Sequence, residues 1–143
     1  MKPKILIVDD EVAFAQILAD RLSMHGYHAG YCPSGEEALT HIRKNPVDVV
    51  ILDIMMPHMD GIVTLRSIKA VSALVEVILL SGEATLQTAI EGLRQGAFEY
   101  LTKPCDLSIM TAKIDAAFER KCSQEERIIK AVAEIDLILK KRE

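Results

Sequence analysis

Five short runs of apolar, largely β-branched residues punctuate the chain, at 4–8, 27–31, 47–53, 75–80 and 97–101. Between them lie longer stretches in which apolar residues recur at three- and four-residue spacing, so strands alternate with amphipathic helices. That alternation predicts strand–helix crossover units and therefore a doubly wound α/β domain with a five-stranded parallel sheet. The first helix is expected over 11–25, with Phe14, Ile17, Leu18 and Leu22 as its apolar stripe and Gly26 as its stop. Ser34, followed three residues later by Glu37, reads as a capping box that opens a second helix reaching about position 44. The third strand, Val47 to Asp53, is apolar in character on both of its faces, which places it mid-sheet with both faces covered. Asp60 is placed to cap a third helix carrying Ile62, Leu65 and Ile68; a fourth is expected over 84–95, ended by Gly96; Asp106 is placed to cap the last.

The tail differs in kind. Ser123-Gln124-Glu125-Glu126 could restart a helix, and Ile128, Val132, Ile135 and Leu139 follow at spacings of 4, 3 and 4, a heptad-like seam; the expectation for the tail is an extended fifth helix that pairs with another copy or a partner. Extended backward, that seam meets Glu125 and Lys121 before Phe118, so it is interrupted. The expected organisation is one domain over 1–121 and a helical extension over 122–143 that is too short to fold alone.

Composition narrows the setting. Half of the 143 residues are hydrophobic, yet no uncharged stretch approaches the ~20 residues of a membrane span. The first strand begins within a few residues of Met1 without a signal-like apolar block, so a cytoplasmic location is expected. A net charge of -4 and the absence of a basic stripe argue against direct nucleic-acid binding. Cys32, Cys105 and Cys122 form no close pair, and His25, His28, His41 and His58 stand at no ligand spacing, so neither a zinc site nor a disulfide framework is expected.

Chemistry gathers at the carboxyl ends of the strands, where open α/β sheets bind their ligands. Asp9 and Asp10 close the first run, Asp53 the third, Ser81 the fourth, and Lys103 follows the fifth. Taken singly, each has a plain explanation: Asp9 or Asp10 as a helix cap, Ser81 as a turn residue before Gly82, Lys103 as a solvated strand end. Their shared position at one sheet edge outweighs those readings. Crowded carboxylates need a cation to stay ionised, and oxygen-only ligands point to Mg2+. Beside such a cation the Asp53 carboxylate is an acceptor for a phosphoryl group, with Lys103 and Ser81 positioned to take other phosphoryl oxygens.

Asp9-Asp10, the stretch from Asp53 to Gly61, Ser81-Gly82 and Lys103-Pro104 together resemble the receiver domain of two-component response regulators, over about residues 3–121. The resemblance implies a flavodoxin-like receiver fold with strand order 2-1-3-4-5 and phosphorylation of Asp53 by a sensor histidine kinase or phosphotransfer protein. It implies Mg2+ held by Asp10, Asp53 and the Met55 backbone carbonyl, with Asp9 acting through water. It also implies a cis Lys103–Pro104 peptide and a switch pair, Ser81 and Tyr100, that relays phosphorylation to the face formed by the fourth helix, fifth strand and fifth helix. Tyr100 by itself has a plainer reading as a core aromatic with its hydroxyl at the surface. Pro57, Asp60 and Gly61 read as a turn and cap, and Met55 and Glu83 flank the phosphoryl position. Such a domain is not an enzyme beyond catalysing its own phosphorylation and dephosphorylation. Its implied partners are the kinase and a downstream protein target, with a homodimer through the switch face or the terminal helix as a further possibility.

Two other α/β functions fit poorly. A flavodoxin-like electron carrier needs a first loop that accepts a flavin phosphate, and Asp9-Asp10-Glu11 would repel it. A haloacid dehalogenase-type phosphatase needs a second aspartate two residues after the first, where Met55 stands. For output, a stand-alone receiver acting by protein contact is the first expectation. The stretch 96–104 also resembles receivers of sigma-54-dependent activators, which makes a receiver fragment with a dimerising linker helix the alternative.

Overall fold

The structure, a computed structural model, describes residues 2–56, 59–83 and 85–142. Five parallel strands form one sheet: β1 (Lys4–Val8), β2 (His28–Cys32), β3 (Val49–Leu52), β4 (Glu76–Ser81) and β5 (Glu99–Thr102). Their order is β2-β1-β3-β4-β5, the doubly wound arrangement expected from the sequence. The strands alternate with α1 (Val12–Met24), α2 (Gly35–Lys44), α3 (Gly61–Val71), α4 (Leu86–Arg94) and α5 (Leu107–Lys141). The expected start of the fourth helix at Ala84 and the turn assigned to Pro57 lie outside the described residues.

Strand side chains alternate between faces, which divides the core in two. Leu6, Val8, Val50, Leu52, Val77 and Leu79 pack with Ala38 and Ile42 of α2 and Leu65 and Ile68 of α3. Ile5, Ile7, Val49, Ile51, Ile78 and Leu80 pack with Leu18 and Leu22 of α1 and Met110, Ile114 and Ala117 of α5. Ile17, assigned to the apolar stripe of α1, is instead 56% exposed, because the face buried by α1 is made of Ala15, Leu18, Ala19 and Leu22.

Local signals account for most helix ends. The Ser34 side chain accepts from the Glu37 backbone N–H at 3.2 Å, the N-cap half of the expected capping box without the reciprocal Glu37 bond, and the Asp60 side chain accepts from the Ile62 N–H at 2.8 Å, as expected. Gly26 and Gly96 stand just past α1 and α4 with φ of 90° and 104°, where a side chain would be strained. Asp106 stands at the start of α5, but its side chain makes no capping bond; its backbone carbonyl accepts from the Ile109 and Met110 N–H groups instead.

The tail continues the fifth helix, as expected, and Ser123 does not restart one. The terminal helix runs unbroken for 35 residues, about 50 Å at 1.5 Å per residue. Residues 123–126 are compatible with helix, and the i,i+4 pair Lys121–Glu125 ties the two parts together. At the amino-terminal edge of the sheet this helix is held by charge. Arg120 pairs with the buried Glu76, which also meets Lys69 of α3, and Lys121 Nζ donates to Asp48 at 2.9 Å. The Arg120 guanidinium also lies over the Phe98 ring, 4.7 Å from its centroid.

Candidate functional site

Register brings the acids together. Val8 pairs with Leu52 across β1 and β3, so Asp9 and Asp53 leave the sheet side by side; the Asp53 N–H extends the ladder by donating to the Val8 carbonyl at 2.9 Å. Carboxylate oxygens of Asp9, Asp10 and Asp53 all lie within 4.8 Å of one another. Asp9 and Asp53 are 2% and 5% exposed, whereas Asp10 faces solvent.

Lys103 reaches this cluster from beyond β5. Its Nζ donates to Asp9 Oδ2 at 2.7 Å, Glu11 Oε1 at 3.1 Å and Asp53 Oδ2 at 3.3 Å, and lies 4.3 Å from the centroid of the Phe14 ring. The Lys103–Pro104 peptide is cis, in line with the expectation. The remaining Asp9 oxygen accepts from the Glu11 N–H at 2.9 Å, and Asp53 Oδ1 accepts from the Met55 N–H at 2.9 Å.

These contacts leave an excess of negative charge. Burial pushes the Asp9 carboxyl above its usual range, even though Lys103 and the Glu11 N–H pull it down. Burial works against the Lys103 ammonium, but the carboxylates of Asp9, Glu11 and Asp53 outweigh it and hold the ammonium above its ordinary pKa. One ammonium faces three close carboxylates, with Asp10 beside them. An all-oxygen donor set with uncompensated charge is the environment a hard divalent cation such as Mg2+ requires.

The loop after Asp53 folds back at once. Met55–Met56 pairs antiparallel with Met59–Asp60, and α3 starts at Gly61. A Cβ at Gly61 would stand 2.1 Å from Ile54 Cα, so only glycine lets the loop close this tightly over the end of β3.

Ser81 is fully buried at the end of β4, one position further out than Asp53 in the strand register. Its Oγ accepts from the Glu83 N–H at 3.3 Å. Tyr100, on β5, is half-buried against the α2–α3 side of the core, and its hydroxyl lies 3.2 Å from Thr88 Oγ1 on α4. The residues anticipated from sequence thus fall into two groups: Asp9, Asp10, Asp53 and Lys103 converge, while Ser81 is buried at the end of β4 and Tyr100 meets Thr88 of α4. Glu11, Phe14 and Thr88 escaped sequence reasoning. Phe14 reads as one more apolar residue of a helical stripe, and nothing in one dimension links Glu11 to Lys103 or Thr88 to Tyr100.

A doubly wound α/β domain with an acidic pocket and a lysine at the carboxyl edge of its sheet is the class that fold and site define. The family model described as response regulator receiver domain matches residues 5–115, and the chain belongs to that family, the phosphorylation switches of two-component signalling. It is 37% identical over 113 residues to the transcriptional regulatory protein ZraR of Escherichia coli (strain K12), a match covering 79% of this chain and 26% of ZraR. The chain therefore spans about a quarter of that relative's length. Among solved structures it is similar to a CheY-like response regulator receiver domain protein from Methanospirillum hungatei JF-1, with a TM-score of 0.82 at 25% identity over 87% of this chain and 99% of that one. It is also similar to the beryllofluoride-activated NtrC4 receiver domain dimer, with a TM-score of 0.78 at 32% identity over 82% of this chain and 98% of that one. Receiver domains bind Mg2+ at an acidic pocket and interact with histidine kinases and downstream effectors. Among the described residues no helix is long and apolar enough to cross a membrane.

Proposed function

We propose that Asp53 is the phosphoacceptor of this receiver. The observation that carries the reading is the convergence on one buried carboxylate of two further acids and a lysine, drawn from three separate strand ends. A carboxylate oxygen of Asp53 attacks the phosphorus of a phosphohistidine on a sensor histidine kinase or phosphotransfer protein. The oxygen–phosphorus bond forms, the phosphorus–nitrogen bond breaks, and the imidazole leaves with the bonding pair and takes up a proton from solvent. Asp10, Asp53 and the Met55 carbonyl would hold Mg2+, with Asp9 acting through water. When bound, the ion offsets the repulsion between an acidic pocket and an anionic donor.

Lys103 gives the phosphoryl group a fixed positive partner. The Ser81 hydroxyl is the donor for a second phosphoryl oxygen, and its movement lets the Tyr100 ring turn inward. The readout runs through α4, β5 and α5. A downstream protein, or a second copy of the chain, binds that face or the exposed tail of α5, in the cytoplasm and without direct contact to nucleic acid. Catalysis is confined to the domain's own phosphorylation and dephosphorylation. The second reading, a receiver that governs a longer sigma-54-type activator through α5 as a linker helix, is favoured by the exposed apolar stripe Ile128, Val132, Ile135 and Leu139 and by the similarity to ZraR.

Incubation with acetyl phosphate and Mg2+ is expected to label the chain at Asp53, as read by intact mass and by hydroxylamine sensitivity. Asp53→Asn should abolish the label; an Asn variant labelled to the wild-type extent would overturn the assignment.

A further inference from the structure

The Lys103 ammonium has three N–H donors, and three carboxylates take them: Asp9 at 2.7 Å, Glu11 at 3.1 Å and Asp53 at 3.3 Å. The Phe14 ring closes another side at 4.3 Å. If Lys103 is to bind a phosphoryl oxygen on Asp53, one of these three bonds must be released. The three are not equivalent.

Asp9 is 2% exposed, and losing Lys103 would strand a buried carboxylate, an expensive outcome. Asp53 is itself the residue that carries the phosphoryl group, so Lys103 has to stay beside it. The Glu11 side chain is 67% exposed, and water can replace the ammonium there at little cost. Phe14 confines the ammonium to the mouth of the pocket, so a donor released by Glu11 stays directed at the site rather than at bulk solvent.

We infer that Glu11 is a positioning residue that acts through Lys103: its carboxylate occupies one donor of the ammonium in the unphosphorylated domain and yields that donor to a phosphoryl oxygen. This rests on the reading of Asp53 and Lys103 proposed above. It follows that Glu11 competes with the phosphoryl group and sets how readily the pocket accepts one. No motif singles Glu11 out for this role, which depends on the distance between α1 and the β5–α5 turn.

The test uses beryllofluoride, a phosphoryl analogue, titrated into the full chain at saturating Mg2+. Glu11→Gln removes the charge, and Glu11→Asp keeps the charge but shortens the reach to Lys103. Both are expected to tighten beryllofluoride binding about two- to fivefold, the range of an exposed ion pair, and the gain should shrink at high salt. A merely structural role would not produce tighter binding with an unchanged unfolding midpoint. Unchanged or weaker binding by Glu11→Gln would overturn the inference. So would a Glu11→Asp variant that matches wild type, since the effect would then be repulsion across solvent and not occupancy of Lys103. If wild type itself fails to bind beryllofluoride, or Asp53→Asn binds it equally well, the proposed phosphoacceptor reading fails instead.

Discussion

Asp9 shows how a single residue sets the balance between stability and reactivity in this domain. Its ordinary pKa is 3.8, and burial raises it in the folded state despite the Lys103 and Glu11 contacts. A raised folded-state value means that Asp9 favours folding below about pH 3.8 and loses that contribution as pH rises through the folded value. At neutral pH its ionised form is therefore a burden on the metal-free fold. Asp9→Asn should raise the unfolding midpoint at pH 7 without Mg2+, and the gain should fade on acidification toward pH 3.8 and when Mg2+ is added to wild type. A midpoint unchanged across that range would contradict the argument. The Lys103 value is raised as well, so its contribution has the same pH sense in a different window: its pairing stabilises the fold throughout the range below its ordinary 10.5 and is lost only in strong alkali.

At the scale of elements, α4 is the least anchored helix. Gly92 is its only buried residue, and Leu86, Ile90 and Leu93 are exposed. Gly92 permits close approach to the sheet, since a Cβ there would meet Leu79 Cδ1 at 2.3 Å. The first turn is held by a reciprocal Thr85–Thr88 capping box, and the Tyr100 hydroxyl joins that box through Thr88. Thr85→Ala should cost α4 about 1 kcal/mol of local stability, because the Thr85 hydroxyl that accepts the Thr88 backbone N–H is lost. Hydrogen exchange at the amides of residues 86–89 should accelerate accordingly, while the β1 and β3 amides stay protected. Equal exchange in variant and wild type would rule out the box as the anchor of α4.

For the whole molecule, α5 links two environments. Met110, Ile114 and Ala117 are packed against the sheet, Arg120 and Lys121 are pinned to Glu76 and Asp48, and beyond them Ile128, Ile129, Val132, Ile135, Leu137, Ile138 and Leu139 are all at least 50% exposed. A helix apolar over so wide an arc is suited to burial against other helices. Ending the chain before Ser123 should leave the unfolding midpoint nearly unchanged, because those side chains are at least half exposed and the Lys121–Glu125 pair it removes is a surface ion pair. The same truncation should lower the oligomeric state or abolish partner binding in analytical ultracentrifugation and pull-down measurements. If both are unaffected, the tail has no docking role.

Much of this was legible in the chain itself. The β-branched runs, the Ser34 and Asp60 caps and the Gly26 and Gly96 stops depend on neighbours a few residues away, so periodicity and local chemistry determined the elements and, with the receiver resemblance, their order. The same local grammar misjudged Ile17, because the face a helix buries depends on what lies against it. The sequence placed Asp9, Asp10, Asp53 and Lys103 at strand ends. Only tertiary structure decided that Glu11 and Phe14 complete the surroundings of Lys103 and that Thr88 receives Tyr100, since the register of separate strands and the approach of helices over them set those distances.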